Sequence, residues 1–274
     1  MRAMKSLAFW ALLLVIGVAM WVLSARLGQT PSPASRFPDG ELVDLSHSYG
    51  ADTIFWPTAE KFRLHKDAEG VTPAGYYYAS NSFATSEHGG THLDAPVHFA
   101  LGHQSVDEIP LQRFFGPSVV VDVRKQSEGN ADYQVTVDDL MRAEADGTMT
   151  AETIVLLRTG FSSHWPDAAK YLGTAERGAE AVPKLHFPGL HPDAAKWLVE
   201  KGVRAVGIDT ASIDYGQSTL FESHRILYAA DLPAFENLTA LDRLPTRGAF
   251  IVALPMKIAD GTGAPLRAVA ILPK

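Results

Sequence analysis

Between Glu41 and Leu272 the chain alternates short apolar runs with amphipathic stretches. The runs ELVDLSHS, SVVVDV (Ser118 to Val123), TIVLLRTG, VRAVGID, AFIVALP and PLRAVAIL are rich in β-branched residues, which predicts strands. Helix patterns lie between several of them. Thr136 to Asp146 opens with a capping residue and acids, and HPDAAKWLVEKG puts Pro192 in a first turn and Gly202 just past the end. Strands alternating with helices predict an α/β fold with a mixed sheet. No repeat, low-complexity break or second boundary follows Phe37, so residues 37–274 read as a single domain.

The start of the chain follows another rule. After Arg2 and Lys5 comes an uncharged run from Leu7 to Leu23 that is apolar on every face, predicting an N-terminal hydrophobic helix within residues 1–28. It exceeds a signal-peptide core of about 7–15 residues and meets the short limit of roughly 17–25 for a membrane span. A membrane anchor is the first expectation. A removed signal peptide, cut before Ala25, is the second. Either puts the remainder outside the cytoplasm, in the periplasm of a Gram-negative cell. Residues 29–36, QTPSPASR, read as a linker.

Composition narrows the chemistry. The formal charge of −7 and the lack of any dense Lys/Arg stretch argue against nucleic acid as a partner. With no cysteine, disulfides, thiolate nucleophiles and Cys-ligated zinc are excluded, so a metal site must use nitrogen and oxygen donors. Such donors concentrate in SEHGGTHLDAPVHF, residues Ser86 to Phe99, which holds His88, His92, Asp94 and His98. An extended strand would put these four on one face. Gly89 and Gly90 loosen the backbone, however, and Pro96 is foreign to a central strand, so a loop folded around one point is expected. Imidazole and carboxylate suit zinc or manganese, and Thr91 is placed to hold a ligand by hydrogen bonding within the loop.

The window resembles the signature of the cyclase family, which includes bacterial kynurenine formamidases and isatin hydrolases. Later blocks, GPSVVVDV, GIDTASID, FESHRILYAADLPAFENLTALDRLP and LPMKIADGTGAPLRAVAIL, resemble family segments in the same order. The resemblance implies a swivelling β/β/α domain, usually a homodimer or homotetramer. It implies His88, His92, Asp94, His224 and Glu236 as ligands of one or two divalent ions, zinc first and manganese second, with Asp94 bridging if there are two. It makes His98 the catalytic general acid and base, and Trp56 an aromatic lining the substrate pocket.

The function this implies is metal-dependent hydrolysis of a small aryl formamide or cyclic amide. N-formylkynurenine, giving kynurenine and formate, is the first expectation, and opening of isatin's lactam ring is the second. A non-catalytic extracytoplasmic metal- or ligand-binding protein is the alternative class. Other features carry less. Ser162 and Ser163 in RTGFSSHW do not form a G-x-S-x-G elbow. GTGAP lacks the lysine of a P-loop and reads as a turn before the last strand. His103 reads as an ordinary histidine, and Tyr76 to Tyr78 as a strand with one core face and one surface face.

Overall fold

Val119, Val120 and Val121 are all buried although neighbours on a strand point to opposite sides, so this strand has core on both faces. The computed structural model, which describes residues 38–144 and 147–273, shows how that arises. Its strands are β1 (Gly40–Asp44), β2 (Arg63–Val71), β3 (Tyr77–Ala84), β4 (His92–Asp94), β5 (Phe115–Asp122), β6 (Gln134–Val135), β7 (Ile154–Arg158), β8 (Gly189–Leu190), β9 (Ala205–Ile208), β10 (Ala234–Glu236), β11 (Arg247–Pro255) and β12 (Gly263–Pro273). All six apolar runs singled out in the sequence contribute strands: β1, β5, β7, β9, β11 and β12.

The main sheet runs β1-β12-β11-β5-β7-β9-β10-β4, and β4 pairs again with the start of β12. The sheet therefore closes into a barrel-like ring, with β1 beside the far end of β12. Neighbours from β5 through β7 and β9 to β10 are parallel, and the other pairs are antiparallel. The expected mixed sheet is present; its closure is not visible in the pattern, because β4 and β10 are three residues each and carry polar side chains. Alternation along β5 and β7 divides the core. Val120, Ile154 and Leu156 join Leu93, Phe235 and Ala268 in one cluster, inside the ring. Val119, Val121, Val155 and Leu157 pack on the other side against helices.

The helices are α1 (Arg124–Gly129), α2 (Val137–Ala143), α3 (Ala168–Leu172), α4 (Pro192–Lys201) and α5 (Glu222–Tyr228), of which α2, α4 and α5 supply residues to this outer cluster. Thr136 caps α2 in a capping box with Asp139. This helix ends at Ala143, short of the expected Asp146, which lies outside the described residues. The α4 helix starts at Pro192 and stops at Gly202 (φ +66°), as its sequence predicts. Leu198 of α4 with Leu227 and Tyr228 of α5 fills the outer core, and this packing fixes α5 beside β10.

Among the described residues, strands β2 and β3 pair only with each other. Leu64, Tyr77 and Phe83 on this hairpin are more than half exposed, so the tyrosine run has no core face among the described residues, where one was expected. The apolar segment 7–23, with the helix expected there, and the expected linker 29–36 lie outside the described residues. Among the described residues no helix is long and apolar enough to cross a membrane.

Candidate metal centre

The His-rich window is not wholly the loop that its glycines and proline suggested. It places His92–Asp94 in β4 and Pro96–His98 in a single 3-10 turn. Pairing to β10 on one side and β12 on the other makes the three residues a strand, an outcome local composition could not reveal. The glycines shape the approach. Gly90 has φ +57°, and a Cβ on Gly89 would stand 2.0 Å from the Phe55 ring. Pro96 occupies the first position of the turn, where its missing N–H costs nothing.

Because Leu93 and Phe235 join the inner core, His92, Asp94 and Glu236 face the opposite side of the sheet. Glu236 sits directly across from His92 in the β4–β10 register. Over this face α5 brings His224. Nε2 of His224 lies 3.3 Å from Asp94 Oδ2 and 3.3 Å from Glu236 Oε1. Nε2 of His92 lies 3.1 Å from Asp94 Oδ1 and 3.5 Å from Glu236 Oε2. His88 Nδ1 approaches Asp94 Oδ1 to 2.6 Å. Two donor groups result, His88–His92–Asp94 and Asp94–His224–Glu236, each with its ligand atoms within 4.8 Å, and Asp94 belongs to both.

Hydrogen bonds on the far side of the rings fix which nitrogen faces inward. His92 Nδ1 is 2.9 Å from the Gly90 carbonyl, and His224 Nδ1 is 2.5 Å from Asp214 Oδ2. Both Nδ1 atoms must donate, which leaves Nε2 as a bare acceptor in each neutral ring. Nε2 of His92 is buried without an aligned hydrogen bond, although Asp94 is near. Acceptors thus converge on acceptors, an arrangement that calls for positive charge at its centre.

The electrostatics agree. Burial disfavours charge on His92 and His224, yet Asp94, Glu236 and, for His224, Asp214 outweigh it and raise both imidazoles above their ordinary value. Burial and the neighbouring Asp94 charge raise Glu236. Asp94 resists its own burial and is held well below the usual carboxylate range by His88, His224 and His92. The donor set therefore fits a divalent ion: mixed imidazole and carboxylate, buried and already oriented from behind.

His98 is not in either donor group. Its ring stacks on His88 with centroids 3.8 Å apart, and burial lowers it to about 4, so it is neutral at pH 7. It lines a cavity of about 270 Å³ together with the inward-facing groups and an aromatic wall. Trp56 is part of that wall, with Phe221 at 6.2 Å and Phe99 5.2 Å beyond it. Every site residue expected from the sequence thus borders one cavity.

Sequence reasoning missed several supports. Asp214, in GIDTASID, accepts from the backbone N–H of Ser223 and His224 as well as from the His224 ring. Tyr228 donates to Asp94 Oδ2 at 2.9 Å, and Asn237 donates to the Gly90 carbonyl at 2.8 Å. The α5 spacing His224–Tyr228 is one helical turn and could have flagged Tyr228. No local signal marks Asp214 or Asn237. Thr91 does not brace a ligand within the loop as expected. Its hydroxyl donates to the Asn237 carbonyl and accepts from His47 N–H, tying neighbouring segments together. His103 pairs with Asp231, and Ser163 donates to the Gly160 carbonyl, in keeping with their structural readings.

Fold and donor set together define a barrel-like α/β protein with a buried His/Asp/Glu centre of the metal-dependent hydrolase type. The family model "Putative cyclase" matches residues 43–215, and the chain belongs to this family. It is 32% identical to an isatin hydrolase of Roseibium aggregatum over 85% of this chain and 92% of that protein. It is 30% identical to a kynurenine formamidase of Salinibacter ruber, over 83% and 96% respectively. A crystal structure of an isatin hydrolase bound to the product analogue thioisatinate superposes with a TM-score of 0.76 at 31% identity, covering 94% of this chain and 99% of that one.

Proposed function

We propose that the protein is a metal-dependent hydrolase of a small, uncharged aryl amide, with isatin the first substrate to test and N-formylkynurenine the second. The observation that carries this reading is a His/Asp/Glu centre and an aromatic wall facing each other across one small cavity. His88, His92, Asp94, His224 and Glu236 would hold a divalent ion, which would supply Lewis acidity to polarise a carbonyl and to lower the pKa of water from 15.7 toward ~7. Zinc is the first expectation and manganese the second; the two faces of Asp94 favour two ions.

The side chains do the rest. Trp56, Phe99 and Phe221 hold a flat ring, which sets the amide carbonyl against the centre. His98, neutral and beside His88, accepts the attacking water's proton and passes it to the departing nitrogen. Among the described residues no Lys or Arg lines the cavity. A charged amino-acid tail would find no side-chain cation there, which reverses the order expected from the sequence and favours a lactam over N-formylkynurenine. The relatives named isatin hydrolase support the same order. A purely storing site has no use for His98 in the cavity, so the binding-protein reading is the weaker.

The test is metal analysis of the purified protein with turnover of both amides under zinc and manganese. Isatin opening by metal-loaded protein is expected. Turnover of neither amide would remove both substrates, and failure to retain a metal would remove the hydrolase class. Two further proposals accompany this one. The unpartnered β2–β3 hairpin is covered by a second copy of the chain, since a lone two-stranded hairpin is marginal in water. The apolar segment 7–23 supports an extracytoplasmic location, readable by cell fractionation.

A further inference from the structure

His88 is held by a different device from the other two histidines. The GTG of residues 261–263, a turn by its sequence, runs into β12 directly beside it. The Thr262 hydroxyl donates to Glu87 Oε2 at 2.6 Å, and the Thr262 N–H reaches the same oxygen at 3.1 Å. With its only proton committed to Glu87, Thr262 Oγ1 can meet His88 Nε2, 2.9 Å away, only as an acceptor. Nε2 must then carry the ring proton. In the neutral ring that a metal ligand must be, this leaves Nδ1 as the lone-pair nitrogen, 2.6 Å from Asp94 Oδ1.

The surroundings restrict where these groups can lie. A Cβ on Gly263 would stand 2.5 Å from His88 Cε1 and 2.7 Å from the Leu93 carbonyl, so only glycine lets the ring lie there. The Thr262 carbonyl accepts from Ala95 N–H at 2.9 Å, which fixes the threonine from its other side. Gly263 is also the register partner of Asp94, so β12 carries the device to the carboxylate that both donor groups share.

We propose that Glu87 and Thr262 are positioning residues that lock His88 as its Nε2–H tautomer and make Nδ1 its metal-binding atom, in contrast to Nε2 of His92 and His224. The inference rests on the metal-centre reading above. Its physical content is pre-organisation: an imidazole that must choose tautomer and rotate before binding loses affinity, and losing such a partner typically costs 10–100-fold.

The experiment compares wild type with Thr262→Val, Thr262→Ser and Glu87→Gln by zinc competition against a chromophoric chelator, and records side-chain 15N spectra of the histidines in zinc-loaded wild type. Thr262→Val should weaken zinc binding about 10–100-fold, and Thr262→Ser should restore it. In a His88→Ala background Thr262→Val should have no further effect, which a merely structural role would not predict. The spectra should show zinc on Nδ1 and a proton on Nε2 for His88, a result that needs no variant to fold. Zinc on Nε2 of His88, or undiminished affinity in folded Thr262→Val, overturns the proposal while leaving the centre intact. Wild type that binds no zinc removes the centre and the proposal together.

Discussion

At the scale of single residues the proposed mechanism separates groups that would hold a metal from one that would move a proton. His98→Ala should retain the metal yet lose turnover by about 10²–10⁴-fold, read by metal analysis alongside steady-state kinetics. Asp214→Asn should act on the metal instead. It disturbs the acceptor behind His224, so metal affinity falls about 10–100-fold while His98 is untouched. A third residue-scale prediction concerns His47, away from the centre. Burial lowers it to about 4 against the opposing pull of Asp44, and its ring stacks on Trp165 at 4.0 Å. The unfolded chain binds this proton near pH 6.5 but the folded protein only near 4. Acidification through that window therefore favours unfolding, and stability recovers as pH rises to about 6.5. His47→Phe keeps the stacking and should flatten the dependence of Tm on pH between those values. An unchanged slope would assign the effect to other groups.

At the scale of elements the centre depends on how closely β4 can approach its neighbours. Three residues give little hydrogen bonding, so β4 is held by β10, by β12 and by the packing of Leu93 in the inner core. Gly89→Ala drives a methyl into the Phe55 ring, and overpacking of this kind costs about 1–3 kcal/mol. A lower urea midpoint at unchanged m-value is expected, with loss of metal affinity because the same strain displaces His88 and His92. Elements also explain which features were legible. The valine-rich β5 and the capped, glycine-terminated α4 announce themselves through local rules. The hairpin was read only in part, since Tyr77 and Tyr78 follow strand propensity but nothing local says that neither face meets the core.

At the scale of the whole molecule the proposed ligands come from β4 and the segment just before it, from α5 and from β10, brought together only when the ring closes and α5 packs on it. Metal binding is thus coupled to folding. Zinc at about 100 times its Kd should stabilise the protein by ~2.7 kcal/mol, and chelation should lower Tm correspondingly in a thermal melt. The hairpin gives a second test at this scale. Wild type should run as a dimer or tetramer in light scattering, and the double change Leu64→Asp with Phe83→Asp should yield monomer. A monomeric wild type would leave the hairpin uncovered and sink that assignment.

The sequence by itself determined the α/β alternation, the absence of thiol chemistry and the donor-rich window, because propensity, composition and close spacing are properties of neighbouring residues. It carried His224 and Glu236 only through a resemblance, since neither stands out among its own neighbours. Tertiary structure alone decided that β4 is a strand and that Asp214, Tyr228, Asn237, Glu87 and Thr262 stand behind the proposed ligands, whereas the shared role of Asp94 was already implied by the resemblance. The reason is physical. Which nitrogen of an imidazole faces a metal depends on the acceptor behind the other, and for His88 that acceptor lies 174 residues away along the chain.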